Sequence, residues 1–426
     1  MEKPQKRQAV FVYLCGMVVL HAAFFWDARE SVSKGYSDFT IYYCAGMMVR
    51  KGLGHDLYNN SVQYQIQREF APHVAIRLNA LPYNHPPFEA LFFAPFTFLS
   101  YLHAFILWDL LNAGALLAGA FLLRGQVDKL KTCSLPLCML ATLAFFPIFL
   151  TLLQGQDSIL LLLLYVLTFV CLKKNARALS GAWLALGLFK PQLVLPFILL
   201  WPMRGDKKIL YGFLPTAAAL ALVSLALVGT TGLRLYPGYV LRLDANMAGG
   251  AIQPSDMPNL RGLIYVLTHG RIETASIAIA FSCVILLLAA WLCRARETTP
   301  DLFCSKFALA MVATVLVSYH CLGYDLSVLL LPIALIFQKL WHPGTLAPWA
   351  RALMLPGIGL LFFSPLQEFL LLHGNRLALM GWAVLLLLGG IVAQIWFETA
   401  SRALPSDKRF GEGTDSKSHL SSGTIA

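Results

Sequence analysis

Five places in this chain set polar or charged side chains among apolar neighbours. They are Asp38 at the head of "DFTIYYCAGMM", His85 in "YNHPPFEALFFAPF", Gln154 and Gln156 in "LLQGQDS", Lys190 before Pro191, and His320 with Asp325 in "SYHCLGYDLSVLLLP". A half-buried carboxylate such as Asp38 can hold a hydroxyl and take its proton. It can also cap the helix beginning at Phe39 by accepting backbone N–H bonds, and the two roles are compatible because a cap fixes the side chain. An ammonium at Lys190, at the tip of a folded apolar segment, suits a phosphate. The amides of Gln154 and Gln156 suit sugar hydroxyls, or else simply turn the chain. His85 precedes two prolines that stiffen the entry into the next helix, with Glu89 just inside it as a weaker site candidate. His320 and Asp325 bracket a tight turn that they either close or use. Asn259 and Arg261, in "MPNLRG", bring a guanidinium to the edge of an apolar stretch, for a bidentate phosphate contact or for surface anchoring.

The elements that must carry these residues are membrane helices. The 426 residues are 58% hydrophobic and 13% charged, against about 25% charged in a soluble domain. The formal net charge of +11 is spread over short basic clusters between apolar segments, the pattern of cytoplasmic retention rather than of nucleic-acid binding. A bilayer core needs roughly 20 apolar residues per helix, a length approached or reached by 9–26, 134–152, 209–229, 272–293 and 377–397. Basic clusters at Lys3/Lys6/Arg7, Arg124/Lys129/Lys131, Lys173/Lys174/Arg177, Arg204/Lys207/Lys208 and Arg294/Arg296/Lys306 predict cytoplasmic turns. Two long loops, 27–86 and 230–271, then face outward.

Residues 87–123 read as a bent entry and 178–202 as a hairpin folded at Lys190-Pro191. The expectation is an all-α polytopic fold of ten to twelve helical pieces spanning 1–404, with both termini cytoplasmic. The polar tail 405–426 reads as disordered and cytoplasmic. Phe39, Tyr42, Tyr43, Gly46 and Met47 recur at helical spacing and predict a helix lying in the interface with its aromatic face on lipid. A second interfacial helix is expected at 61–70. The nine cysteines form no CxxC pair and no ligand spacing.

The order of these motifs resembles glycosyltransferase family 87. The residues that carry the resemblance are Asp38-Phe-x-x-Tyr42-Tyr43 followed by Gly54-x-x-Leu-Tyr58, the Pro86-Pro87 entry, Gly155-Gln156 with Ser158, Gly187-x-x-Lys190-Pro191, Asn259-x-Arg261-Gly262, and His320 followed by Tyr324-Asp325-Leu326. The resemblance spans about residues 36–335 and implies a GT-C membrane fold. It also implies inverting transfer of a hexose, typically mannose, from a polyprenyl-phosphate donor on the outer membrane face. By that resemblance Asp38 and His320 are the catalytic candidates. Lys190, Arg261, Gln154, Gln156, Tyr42, His85, Asn259 and Asp325 form the expected substrate-binding set. Asn84-His85 departs from the aromatic common before the prolines, and "CLG" (321–323) is plainer than the His-rich run often found there.

The expected partners are a polyprenyl-phosphate hexose, a lipid or glycan acceptor, and membrane lipid, with no nucleic acid. No clustered acidic ligand set is visible along the sequence, so neither a metal nor another cofactor is expected. The rival is a transporter or flippase for a polyprenyl-linked glycan, which also combines broken helices with buried polar groups. The absence of an internal repeat and the long first outer loop count against it.

Overall fold

A computed structural model of the protein describes residues 3–72, 74, 80–246, 253–270, 274–294, 299–341, 346–373 and 376–403. Every regular element among the described residues is a helix. This follows from backbone chemistry, since a chain in lipid must satisfy its own N–H and C=O groups. The tail 405–426 lies outside the described residues.

The first half of the chain builds the floor of the site. Helix α1 (Lys3–Ser33) leads to α2 (Phe39–Arg50), α3 (Asn60–Phe70) and α4 (Pro87–Phe93). A 3-10 turn at Ala94–Phe98 then joins α4 to α5 (Tyr101–Arg124). The bent entry expected over 87–123 is therefore two helices separated by a tight turn.

Helix α2 corrects the sequence reading. Every residue from Phe39 to Met48 is buried, so this helix is a core element and does not lie on lipid. Its apolar residues surround the axis rather than lining one face, and a helix apolar all round belongs in a core. Tyr42 stacks on Phe93 at 4.7 Å, and Phe39 meets Phe105 edge-on at 5.6 Å. Gly46 permits the close crossing with α4, because a Cβ there would lie 2.7 Å from the Phe93 carbonyl oxygen. The helix at 61–70 forms as expected, with Gln63, Ile66 and Gln67 buried beneath it.

Next come the short α6 (Asp128–Thr132), α7 (Leu135–Leu143), α8 (Phe146–Gln154) and α9 (Ser158–Lys173). The expected single span at 134–152 is instead bent by 71° between α7 and α8. Pro147 stands in the first turn of α8, where its missing N–H costs no bond but cannot continue the preceding helix. Helices α10 (Arg177–Leu186) and α11 (Pro191–Leu200) are divided by a 3-10 turn and by Lys190, as the Lys-Pro pair predicts. Their arms diverge, α10 onto α9 and α12 (Leu210–Asn246), α11 onto α14 (Thr274–Cys293) and α15 (Pro300–Val317).

Helix α12 corrects a second expectation, because residues 230–246 continue it past a kink at Gly229 instead of forming loop. Helix α13 (Leu260–Leu267) precedes α14. A 3-10 run at Gly323–Leu329 leads from α15 into α16 (Leu330–Trp341). The chain ends in α17 (Pro348–Phe362), α18 (Ser364–Leu372) and α19 (Gly381–Ala403).

Among the described residues six helices are long and apolar enough to cross a membrane, or up to eight if the bent pairs α7/α8 and α17/α18 each count as one span. Shorter apolar helices at Ser158–Lys173, Arg177–Phe189, Pro191–Met203 and Gly323–Phe337 make up the rest of the apolar pieces. Among the described residues two large apolar cores result, one around α2, α4 and α5, the other around α9, α11, α15 and α19, with a small third cluster at Phe146, Phe149 and Leu150. Leu160 packs against both, so the turn 154–158 just before it lies on the seam between them.

Candidate active site

Each polar residue singled out by the sequence sits where a helix starts, stops or breaks. Such breaks leave backbone groups needing partners and place polar side chains beside them. The tightest example is the turn between α8 and α9. Gly155 adopts a left-handed conformation, φ 62°, and a Cβ there would meet Phe39 Cβ and Phe105 at 2.8 Å. Glycine alone permits both the conformation and the approach of this turn to the start of α2. From α5, Trp108 Nε1 donates to the Gly155 carbonyl at 2.9 Å and Asn112 Nδ2 to the Gln156 carbonyl at 3.4 Å.

The turn delivers two amides to Asp38. The Asp38 backbone N–H donates to Gln154 Oε1 at 3.1 Å, and Gln156 Nε2 donates to Asp38 Oδ2 at 2.8 Å. The Asp38 carboxylate makes no capping bond to α2, which removes the cap as its purpose. Gln154 and Gln156, expected either to turn the chain or to meet sugar hydroxyls, both bond to Asp38, Gln154 at its backbone N–H and Gln156 at its half-buried carboxylate. Tyr42 extends the chain of contacts, its hydroxyl donating to Gln156 Oε1 at 2.7 Å and lying 3.4 Å from His85 Nε2. Gly155→Ala is expected to cost about 1–3 kcal/mol of stability through strain and overpacking. It should also lower turnover at least about tenfold by withdrawing Gln156 from Asp38, the loss expected when a supporting contact moves. Thermal unfolding and turnover of the purified variant read the two effects separately.

Lys190 occupies a different place from that expected. It is 2% exposed, with Asp157 Oδ1 at 2.8 Å, Ser158 Oγ at 2.7 Å, and Asp325 Oδ1 in contact. An ammonium has three hydrogens, and these three partners take them all. Ser158 Oγ also donates to Asp325 Oδ1 at 2.9 Å, while Asp325 Oδ2 accepts from the Leu322 N–H at 2.8 Å. Lys190 thus serves as an internal counter-ion joining α9, α11 and the 3-10 run at 323–329, and the Tyr324 ring covers it at 4.8 Å. Asp325 is both a ligand of Lys190 and a cap of its own turn.

His85 and Glu89 lie beside this cluster. His85 Nδ1 is 2.8 Å from Glu89 Oε2 and 3.8 Å from Asp157 Oδ2, and these three side chains could hold a metal ion. Burial pushes the Glu89 carboxyl well above the usual carboxylate range, with Asp157 adding to the effect. Burial also pulls His85 down to about 4. The sequence reading gave no role to Asp157, which stood unremarked in "LLQGQDS", and ranked Glu89 as weak. A carboxylate directly after Gly-Gln at a helix start was the available signal. The ground for expecting no metal, namely that no acidic cluster is visible in the sequence, fails here because Asp157 joins His85 and Glu89 from a distant part of the chain.

Asn259 and Arg261 form a shelf at the start of α13, against the end of α15. Asn259 accepts from the Gly262 N–H at 2.9 Å and donates to the Ser318 carbonyl at 2.7 Å, tying α13 to the end of α15. The Arg261 guanidinium stacks on Tyr319 at 4.2 Å and donates to its carbonyl at 3.4 Å. His320 follows in the same strand of chain, partly exposed, five residues before Asp325.

The profile of glycosyltransferase family 87 matches residues 83–318. The chain is also 25% identical over 340 residues to a polyprenol-phosphate-mannose-dependent alpha-(1-2)-phosphatidylinositol mannoside mannosyltransferase of Mycobacterium tuberculosis, covering 74% of this chain and 73% of that protein. No solved structure matches. The matched region holds the entry at His85, the Gly155-Gln156 turn, the Lys190 break and the Asn259–Arg261 shelf. With more than half its length matched and its polar residues gathered at breaks in membrane helices, the chain belongs to glycosyltransferase family 87 and is a multi-pass membrane glycosyltransferase.

Proposed function

We propose that this enzyme transfers mannose, with inversion, from a polyprenyl-phosphate donor to a hydroxyl of a glycolipid or glycan acceptor at the outer membrane face. The observation that carries the reading is Asp38, at the end of the first span, whose half-buried carboxylate accepts from Gln156 Nε2 while its backbone N–H donates to Gln154 Oε1. The relative's name supplies the donor, polyprenol-phosphate-mannose, and a mannosylated lipid as the class of acceptor.

In the reaction, Asp38 takes the acceptor O–H proton as that oxygen attacks the anomeric carbon. The bond from the anomeric carbon to the phosphate oxygen breaks, and its electron pair leaves with polyprenyl phosphate. The donor already carries a good leaving group, so the protein's task is positioning and meeting the charge that develops. Arg261, supported by Tyr319, is the side-chain cation assigned to the phosphate, with His320 beside it. Asn259 fixes the shelf and Asp325 the counter-ion cluster.

The basic clusters favour cytoplasmic termini and an outward-facing site. Purified protein in lipid, given labelled polyprenyl-phosphate mannose and a mannosylated phosphatidylinositol acceptor, tests the reading, with the anomeric configuration of donor and product compared by NMR. Absence of label in the acceptor, or a retained configuration, would refute the corresponding part. Deletion of 405–426 is expected to leave turnover within about twofold, because a polar terminal segment away from the site is the kind that tolerates removal. Loss of transfer in a correctly inserted truncation would count against the assigned sidedness.

A further inference from the structure

The hydrogen-bond chain around Tyr42 places a proton on Nε2 of His85. Gln156 donates its amide to Asp38 Oδ2, so its oxygen is the atom that meets Tyr42. The single Tyr42 hydroxyl proton goes to that oxygen at 2.7 Å. The Tyr42 oxygen then accepts from His85 Nε2 at 3.4 Å, so Nε2 carries a proton. Nδ1 lies 2.8 Å from Glu89 Oε2 and 3.8 Å from Asp157 Oδ2 and makes no hydrogen bond among the described residues.

Those two oxygens bring no compensating donor. Glu89 is 3% and Asp157 1% exposed, and neither Glu89 Oε2 nor Asp157 Oδ2 has a hydrogen-bond partner among the described residues. Lys190 serves the opposite oxygen of Asp157 and is saturated by Asp325 and Ser158. Three ligand atoms from α4, the segment before it, and the start of α9 thus converge on one buried point, where a bound cation, or a proton on Glu89, offsets the carboxylates.

We propose that His85 Nδ1, Glu89 Oε2 and Asp157 Oδ2 bind a divalent cation of the Mn2+ or Zn2+ kind, which presents its remaining coordination positions to the donor phosphate. One imidazole and two carboxylates make a mixed N/O donor set that suits these ions. All three ligand atoms lie within 4.8 Å of one another, and an ion about 2.1 Å from each needs only small side-chain rotations. The second shell is in place, since Tyr42 orients the His85 ring and Lys190 holds the other Asp157 oxygen. The ion offsets the excess of carboxylates in a site that must also admit an anionic donor. Its service to the phosphate rests on the transferase reading above, whereas its binding does not.

The test uses full-length protein in lipid nanodiscs, stripped with chelator and titrated with Mn2+ while free Mn2+ is followed by electron paramagnetic resonance. Saturation near one ion per chain is expected, weakened at least about 10- to 100-fold by Glu89→Gln and by His85→Gln and unchanged by Asp38→Asn. The bound ion should show a hyperfine coupling to one imidazole nitrogen in unmodified protein, a readout independent of whether any variant folds. No saturable binding of Mn2+ or of Zn2+, or a bound Mn2+ without nitrogen coupling, would overturn the site. A bare proton on Glu89 filling the same gap predicts that outcome. Full transfer by metal-free protein would overturn the phosphate role while leaving the transferase reading intact. Saturable, nitrogen-coupled binding in a protein that transfers nothing would uphold the site and sink the transferase reading instead.

Discussion

Asp38→Asn is expected to lower turnover by about 10²–10⁴-fold, the usual contribution of a general base, with stability and donor affinity close to those of the unmodified protein. Asparagine keeps the size of the side chain and an oxygen able to accept from Gln156 Nε2, so the local geometry survives and only proton acceptance is lost. The backbone bond from Asp38 to Gln154 is untouched. A turnover assay at saturating donor, with thermal unfolding of the same preparation, separates chemistry from folding. An Asp38→Asn enzyme that keeps most of its turnover would move the base elsewhere, and His320 is the next candidate. Gln156→Ala should reproduce part of the loss, because it frees the carboxylate without removing it.

The second large effect is expected at Lys190, and it is an effect on folding. Lys190→Met leaves Asp157 and Asp325 buried, facing each other without the ammonium that joins them. Breaking a buried pair by removing one partner typically costs about 3–5 kcal/mol. The variant should therefore unfold at a markedly lower temperature, or fail to accumulate. Adding Asp325→Asn should return part of the loss, because the two substitutions remove the same interaction and cannot add. A phosphate-binding lysine predicts the reverse, namely unchanged unfolding with a donor KM raised at least about tenfold, the loss of one charge-assisted contact. Measuring the unfolding temperature and the donor KM on one preparation decides between a counter-ion and a donor contact.

Much of the architecture was legible along the chain. The charge content and the lengths of the apolar segments require a polytopic helical protein, because lipid offers no partners for open backbone. Local signals also marked the breaks. Pro87 and Pro191 each open a helix, and Gly155 ends one. The reading failed where a property depends on what surrounds a helix. The composition of α2 fits an interfacial helix and a core helix alike, and only its packing beneath α3 and against α4 and the following turn chose burial. Likewise 230–246, expected as outer loop, carries Pro237 yet stays helical beyond the kink at Gly229.

The sequence by itself determined a polytopic helical membrane protein whose polar residues stand at helix breaks, and its motif order resembles glycosyltransferase family 87, because apolar length, turn chemistry and motif order are local properties of the chain. Only the tertiary structure decided what those residues do to one another. Gln156 reaches Asp38 across 118 positions and Lys190 reaches Asp325 across 135, separations over which no spacing rule operates. A lysine in an apolar segment is equally suited to a ligand phosphate or to internal carboxylates. Proximity within a few ångströms selects between them, because the cost of an uncompensated buried charge is met by whichever partner the fold brings closest. The same reason hid His85, Glu89 and Asp157 as a set. Two of them share a helix entry, but the third arrives with the turn that Gly155 allows to close on α2.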